Sequence, residues 1–213
     1  MTIAIIGCLH GNEVLGKRVI EFLRDRIDAR FIIANPPAVE KGVRFIGTDM
    51  NRSFPGNPQG SQEETLAHAL LAKLEGIEFV IDIHSTTAVT EGFVIAVERS
   101  PQALIDAVPL NKVVLMPRAF ASGKSLIDHI PGVSLEFHEG IDPASVANVV
   151  AETVANMVSS RTVVKEMYVG KRMLQGDAIF ENFKQVPGTG LYAILSGEKA
   201  YHGTCILCER VSH

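Results

Sequence analysis

Cysteine is scarce in this chain: three residues, Cys8, Cys205 and Cys208, an odd number that completes no disulfide framework and fits a reducing compartment. A basic surplus is also missing. Twenty lysines and arginines stand against 24 acidic residues, for a formal net charge of −4. No cationic face is therefore expected for a phosphate backbone, which argues against nucleic acid as a partner. Long apolar runs are absent as well. Stretches such as Phe79–Ile83 fall far short of the ~20 residues that span a bilayer, so no membrane association is expected. The first residues pass directly into Thr2-Ile3-Ala4-Ile5-Ile6, without a basic segment or a small-residue cleavage site, and the expected location is cytoplasmic. What remains is an ordinary globular balance, 46% hydrophobic and 21% charged over 213 residues, enough to bury a core without covalent staples.

The first two thirds alternates short apolar runs with helical patterns. Ile3–Cys8 is apolar on both faces, as a strand must be in a parallel sheet covered by helices. A helix is expected from about Glu13 to Ile27, with Leu15, Val19, Phe22 and Leu23 on one side. Phe31–Ala34 reads as a strand stopped by Pro36-Pro37, and residues 40–60 as a long functional loop. Ser61, with Glu64 three residues on, makes a capping-box start for a helix ending near Gly76. Phe79–Ile83, Phe93–Val97, Val113–Met116 and Val133–Phe137 read as further strands. Short helices fit Pro101–Ala107 and Ser125–Ile130, and a longer one runs from Asp142-Pro143 to about Val158. After Ser160 only strand-like pieces follow: Val163–Val169, Ala178–Phe180, Gly190–Leu195 and Thr204–Arg210. The expected architecture is α/β, a mixed and mostly parallel sheet flanked by helices over residues 1–160. A small β-rich C-terminal domain is expected over residues 161–213.

Polar residues gather where strands end. His10-Gly11-Asn12-Glu13 follows the first strand, and His84 follows Phe79–Ile83. Ligands of open α/β sheets bind beyond the carboxyl ends of the strands, so both clusters point to one edge. An H-x-x-E spacing at the start of a helix sets both side chains on one face. With His84 it supplies two imidazoles and a carboxylate, a common catalytic zinc set that leaves one position for water. An isolated H-x-x-E is more often a hydrogen-bonded surface pair; the combination with His84 is what favours a metal. Asp82, on the same side of the strand as His84, either orients that imidazole or is a satisfied buried carboxylate.

Four separated motifs, His10-Gly11-Asn12-Glu13, Asp49-Met50-Asn51-Arg52, Asp82-Ile83-His84 and Leu135-Glu136, resemble the succinylglutamate desuccinylase and aspartoacylase family. These are zinc hydrolases on a carboxypeptidase A-type fold, and the resemblance extends over nearly the whole chain. It implies one zinc ion per chain, held by His10, Glu13 and His84. It implies that Glu136 is the general base and acid on the activated water, and Arg44 the arginine that polarises the scissile carbonyl. Asn51 and Arg52 correspond to the pair that grips a substrate carboxylate, and Tyr201 resembles a substrate-contacting tyrosine. Lys124 stands where aspartoacylases carry an arginine that binds substrate. A lysine keeps the charge and loses the bidentate fork, so the amino-acid side chain of the substrate stays open. The implied reaction is hydrolysis of the amide of an N-acyl amino acid with a free carboxylate. Oligomeric state is open. A cytosolic zinc carboxypeptidase acting on small peptides, and a non-catalytic metal-binding relative, are the other readings; Glu136 and Arg44 argue against the second, because metal binding alone needs neither.

Other motifs lead nowhere. Ala121-Ser122-Gly123-Lys124-Ser125 looks like the tail of a P-loop, but Arg118 occupies the position of its first glycine. Gly188-Thr189-Gly190 precedes a strand and reads as a turn. Cys205 and Cys208 lack a second pair at zinc-ribbon spacing and read as two small strand residues. Glu139 is near enough to Glu136 to compete as the base. His138 is unassigned, and His68 reads as solvent-exposed.

Overall fold

Apolar alternation on both faces sets the centre of the sheet. The computed structural model describes residues 1–201 and 204–211. In chain order the elements are β1 (Ile3–Gly7), α1 (Leu15–Leu23), β2 (Arg30–Ile33), α2 (Pro36–Lys41), α3 (Gln62–Lys73), β3 (Phe79–Thr86) and β4 (Phe93–Ala96). There follow α4 (Gln102–Ala107), β5 (Lys112–Leu115), β6 (Gly132–His138), α5 (Pro143–Ser159), β7 (Glu166–Gln175), β8 (Tyr192–Ile194) and β9 (Thr204–Val211). Among the described residues, nine strands join one sheet in the order β2-β1-β3-β6-β4-β5-β7-β9-β8. The pairs β2–β1, β1–β3, β3–β6, β4–β5 and β5–β7 are parallel. Those between β6 and β4, β7 and β9, and β9 and β8 are antiparallel. The expected mixed, mostly parallel sheet flanked by helices is what the chain forms.

Because side chains alternate along a strand, β1 feeds two cores at once. Ile3 and Ile5 pack with Val19 and Leu23 of α1 and with Val146 and Val150 of α5. Ala4 and Ile6 pack on the opposite face with Ala67 and Leu70 of α3. From β7 onward the chain extends the same sheet, pairing Lys112–Leu115 with Glu166–Val169. Cys205 and Cys208 in β9 are buried, unpaired and in different apolar clusters. A three-residue offset sends them to opposite faces of the strand, so they share no site.

Several boundaries differ from expectation, each for a local reason. Glu13 lies before α1, not in it, because His10–Glu13 closes a turn in which the Glu13 N–H donates to the His10 carbonyl at 3.1 Å. Pro36-Pro37 stops β2 but also opens α2: the Asn35 side chain accepts from Ala38 N at 3.3 Å, and proline's fixed φ suits a first helical turn. A single 3-10 turn, Met50–Arg52, breaks the long loop, and another, Leu126–Asp128, stands where a short helix was expected. Ala178–Phe180 forms no strand. The capping box of α3 is present, Ser61 N donating to Glu64 Oε2 at 2.8 Å and Glu64 N to Ser61 Oγ at 3.3 Å. Among the described residues, no helix is long and apolar enough to cross a membrane.

Candidate active site

Strand parity brings the polar residues together. β3 runs through His84 to Thr86, so Asp82 and His84 share the sheet face opposite Ile81 and Ile83. In the neighbouring β6, Ser134 pairs with Asp82 and Glu136 with His84, which places Glu136 beside the imidazole on the same face. The turn after β1 delivers His10 and Glu13 to this edge. Gly11 in that turn cannot carry a Cβ, which would fall 2.2 Å from the Ala38 backbone; its N–H donates to the Arg44 carbonyl at 3.0 Å.

His10, Glu13 and His84 are all buried, and one donor atom from each lies within 4.8 Å of the others. Glu13 bridges the two rings, with Oε1 2.7 Å from His10 Nδ1 and Oε2 3.0 Å from His84 Nδ1. It also accepts from Ser85 N at 3.1 Å and from Arg44 Nη1 at 3.0 Å. The outward ring nitrogens are taken by other carboxylates: His84 Nε2 is 2.6 Å from Asp82 Oδ2, and His10 Nε2 is 3.0 Å from Asp49 Oδ1. Burial opposes charge on Glu13, but the two histidines outweigh it and hold its carboxyl well below the usual range.

This donor chemistry fits a cation. An imidazole whose Nε2–H donates outward turns the lone pair of Nδ1 inward. Two such lone pairs facing an ionised carboxylate set acceptor against acceptor, unless a proton or a metal ion lies between them. Outward carboxylates of this kind are the usual companions of metal-binding histidines. Asp82 is wholly buried, and its Oδ1 has no hydrogen-bond partner among the described residues.

The cluster lines a pocket. Its apolar wall includes Ile95, Val97, Met116, Phe120, Ile127 and Leu195. Glu136 lines it too, and its carboxyl is pushed up to about 8: burial raises it most, Glu13 and Glu198 add to this, and the two histidines oppose it. Arg44, Asn51 and Arg52 line the same pocket. Arg44 also stands 3.6 Å from Asp49, so it spans both carboxylates. Asn51 Oδ1 accepts from Leu126 N at 3.0 Å, and Arg52 Nη1 donates to the Asn51 carbonyl at 2.8 Å.

Lys124 is not brought to this pocket. Its exposed side chain lines a shallower hollow with Thr48, Ser53 and Glu64. Glu139 is exposed beyond the end of β6, whereas Glu136 is buried. His68 is exposed, and His138 Nδ1 accepts from Gly140 N. Tyr201 ends a 3-10 turn, Lys199–Tyr201, and its side chain lies outside the described residues. Glu198 and Arg118 are among the pocket residues that were not foreseen. Glu198 accepts from Thr86 Oγ1 at 2.5 Å and Thr87 N at 2.8 Å, tying that turn to the end of β3. Arg118 lines the pocket without a carboxylate partner among the described residues, and only its place in the fold distinguishes it from any loop arginine.

Residues 1–120 match the family model described as the succinylglutamate desuccinylase/aspartoacylase catalytic domain. An N-acyl-aromatic-L-amino acid amidohydrolase (carboxylate-forming) of Xenopus tropicalis is 33% identical over 105 residues, 40% of this chain and 34% of that protein. A probable aspartoacylase of Trichodesmium erythraeum is 33% identical over 129 residues, 52% of this chain and 44% of that protein. These matches thus span less than half of the curated relatives. Murine aminoacylase 3 superposes with a TM-score of 0.76 at 17% identity, over 99% of this chain and 95% of that one. A succinylglutamate desuccinylase from Chromobacterium violaceum gives 0.71 at 19% identity, over 100% of this chain and 85% of that one. At such identities the solved structures speak for the fold alone.

Proposed function

The chain belongs to the succinylglutamate desuccinylase/aspartoacylase family, and on that premise we propose that it hydrolyses the amide bond of N-acyl amino acids with one zinc ion held by His10, Glu13 and His84. The observation that carries this reading is the inward pairing of two Nδ1 atoms with one carboxylate, each ring backed by an outer carboxylate. A His2Glu donor set favours zinc over harder cations. When bound, zinc polarises a carbonyl and lowers the pKa of water towards neutrality.

The chain's own residues supply the rest. Glu136, buried beside His84, takes a proton from the attacking water and returns it to the leaving amine nitrogen. Arg44 has donors to spare beyond its contacts with Glu13 and Asp49, and these serve the developing oxyanion. Arg52 and Asn51 hold the substrate carboxylate at the mouth of the pocket, which fixes the amide for attack. Among the described residues Arg52 forms no ion pair with a carboxylate, Asp49 feeling its charge only at longer range, so its guanidinium can meet a substrate carboxylate. Arg52→Ala should raise KM by roughly 10- to 100-fold, the worth of one charged hydrogen bond, with a smaller change in kcat. An unchanged KM removes Arg52 from the binding site.

Release of free amino acid from a panel of N-acetyl and N-succinyl amino acids, with zinc and with a chelator, tests the whole reading. Chelator-sensitive release supports it. Activity on dipeptides alone would favour the carboxypeptidase alternative, and no activity in zinc-loaded protein would favour a non-catalytic role.

A further inference from the structure

The loop that carries Arg44 and Asp49 has no strand or helix to order its middle. Its backbone N–H groups find another acceptor. Glu63, in the first turn of α3, is wholly buried. Its Oε1 accepts from Ile46 N at 2.7 Å, and its Oε2 from Gly47 N at 3.1 Å and Thr48 N at 3.2 Å. An acidic residue in a first helical turn is ordinarily a solvated partner of the helix dipole. Glu63 instead lies on the inward stripe of α3, with Ala67, Leu70 and Leu74, all buried. Burial alone would raise its carboxyl; the three backbone donors outweigh it and hold it below the usual range.

The clamped residues lie between the two that matter. Arg44 precedes them and meets Glu13 at 3.0 Å; Asp49 follows and meets His10 at 3.0 Å. The next turn carries Asn51 and Arg52. Without a fixed loop, the carboxylate that sets the His10 ring and the guanidinium that meets Glu13 would both be free to swing.

We propose that Glu63 is a positioning residue, whose carboxylate fixes residues 46–48 so that Arg44 and Asp49 hold their places against the His10–Glu13–His84 cluster. Its effect on metal binding rests on the zinc reading above; the clamp itself does not.

The test compares Glu63→Gln with Glu64→Ala in the full chain. Gln keeps the volume but turns an NH2 donor towards three N–H donors, so at least one loses its acceptor. Glu64→Ala removes the capping-box partner from the same helical turn and is the control for plain loss of helix stability. In Glu63→Gln, hydrogen exchange at Ile46, Gly47 and Thr48 should quicken on the order of tenfold, while exchange in β1 and β3 stays as it was. Zinc affinity, read by competition with a chromophoric chelator, should fall about tenfold, the lower end of what losing an outer-shell partner costs. Glu64→Ala should lower Tm and move neither readout. Unchanged exchange at 46–48, or the same changes in Glu64→Ala, would overturn the proposal; so would faster exchange with zinc affinity intact. If the unsubstituted protein binds no zinc, the metal reading fails instead, and exchange alone decides the clamp.

Discussion

Glu136→Gln should bind zinc as well as the unsubstituted chain and turn over its substrate about 10²- to 10⁴-fold more slowly, the usual worth of a positioned proton carrier. The two readouts separate because Glu136 is not among the three clustered donors. Its carboxylate makes no hydrogen bond among the described residues, so the amide breaks no structural contact. A stability difference should accompany the kinetic one in zinc-stripped protein. The folded state raises this carboxyl from 4.5 to about 8, so the folded chain holds its proton where the unfolded chain has lost it. Stability from this group is present below about pH 4.5 and is lost as pH rises through 8. Glu136→Gln should therefore gain on the unsubstituted chain over that window, read as Tm against pH. A kcat within tenfold of the original would dismiss Glu136 as the proton carrier and turn attention to Glu198 on the same pocket wall.

Asp82→Asn should weaken zinc binding by about 10- to 100-fold. Asp82 sits 2.6 Å from His84 Nε2 and is wholly buried, two residues back on the same strand face. A carboxylate acceptor at that position fixes the proton on Nε2 and leaves Nδ1 for the metal. An asparagine can turn either its oxygen or its NH2 towards the ring, so the tautomer is no longer dictated. Chelator competition measures the loss, and kcat of the zinc-saturated variant should change less than its zinc affinity. Unaltered affinity would mean that His84 is oriented by something else or is not a ligand. Proton and metal compete for Nδ1, so affinity in both proteins should drop as pH falls.

The His10–Glu13–His84 cluster was legible because each part obeys a local rule. His10 and Glu13 follow a strand whose six-residue apolar run leaves no doubt about its nature, and His84 lies at the end of another. Asp82 was legible as a same-face neighbour by strand parity, and its role was left open because parity gives direction, not distance. Lys124 shows the limit. Its place before Glu136 suggested a pocket residue, yet the turn at Leu126–Asp128 leaves it facing Glu64. Glu63 shows the reverse: it shares a helical stripe with Ala67, Leu70 and Leu74, a signal present in the sequence but hidden by its place beside a capping-box glutamate. Glu198 and Arg118 carried no local signal. Each acquires its meaning from partners far along the chain: Thr86 and Thr87 for the first, the pocket wall for the second.

Most strands and the longer helices of the α/β part were readable from the sequence, α2 and the 3-10 turn at Leu126–Asp128 excepted, and so was the edge of the sheet that gathers chemistry. Hydrophobic period and capping residues are short-range properties, readable within a few turns of chain. The tertiary structure alone decided that β7 joins β5 and carries the C-terminal strands into the same sheet. It also decided that Glu136 stands beside His84, that Arg44 and Asp49 back the cluster, and that Arg118 lines the pocket and Lys124 does not. Those outcomes depend on strand order and on loop closure across tens of residues. Contacts of that kind follow from the global packing of the chain, which no local pattern encodes.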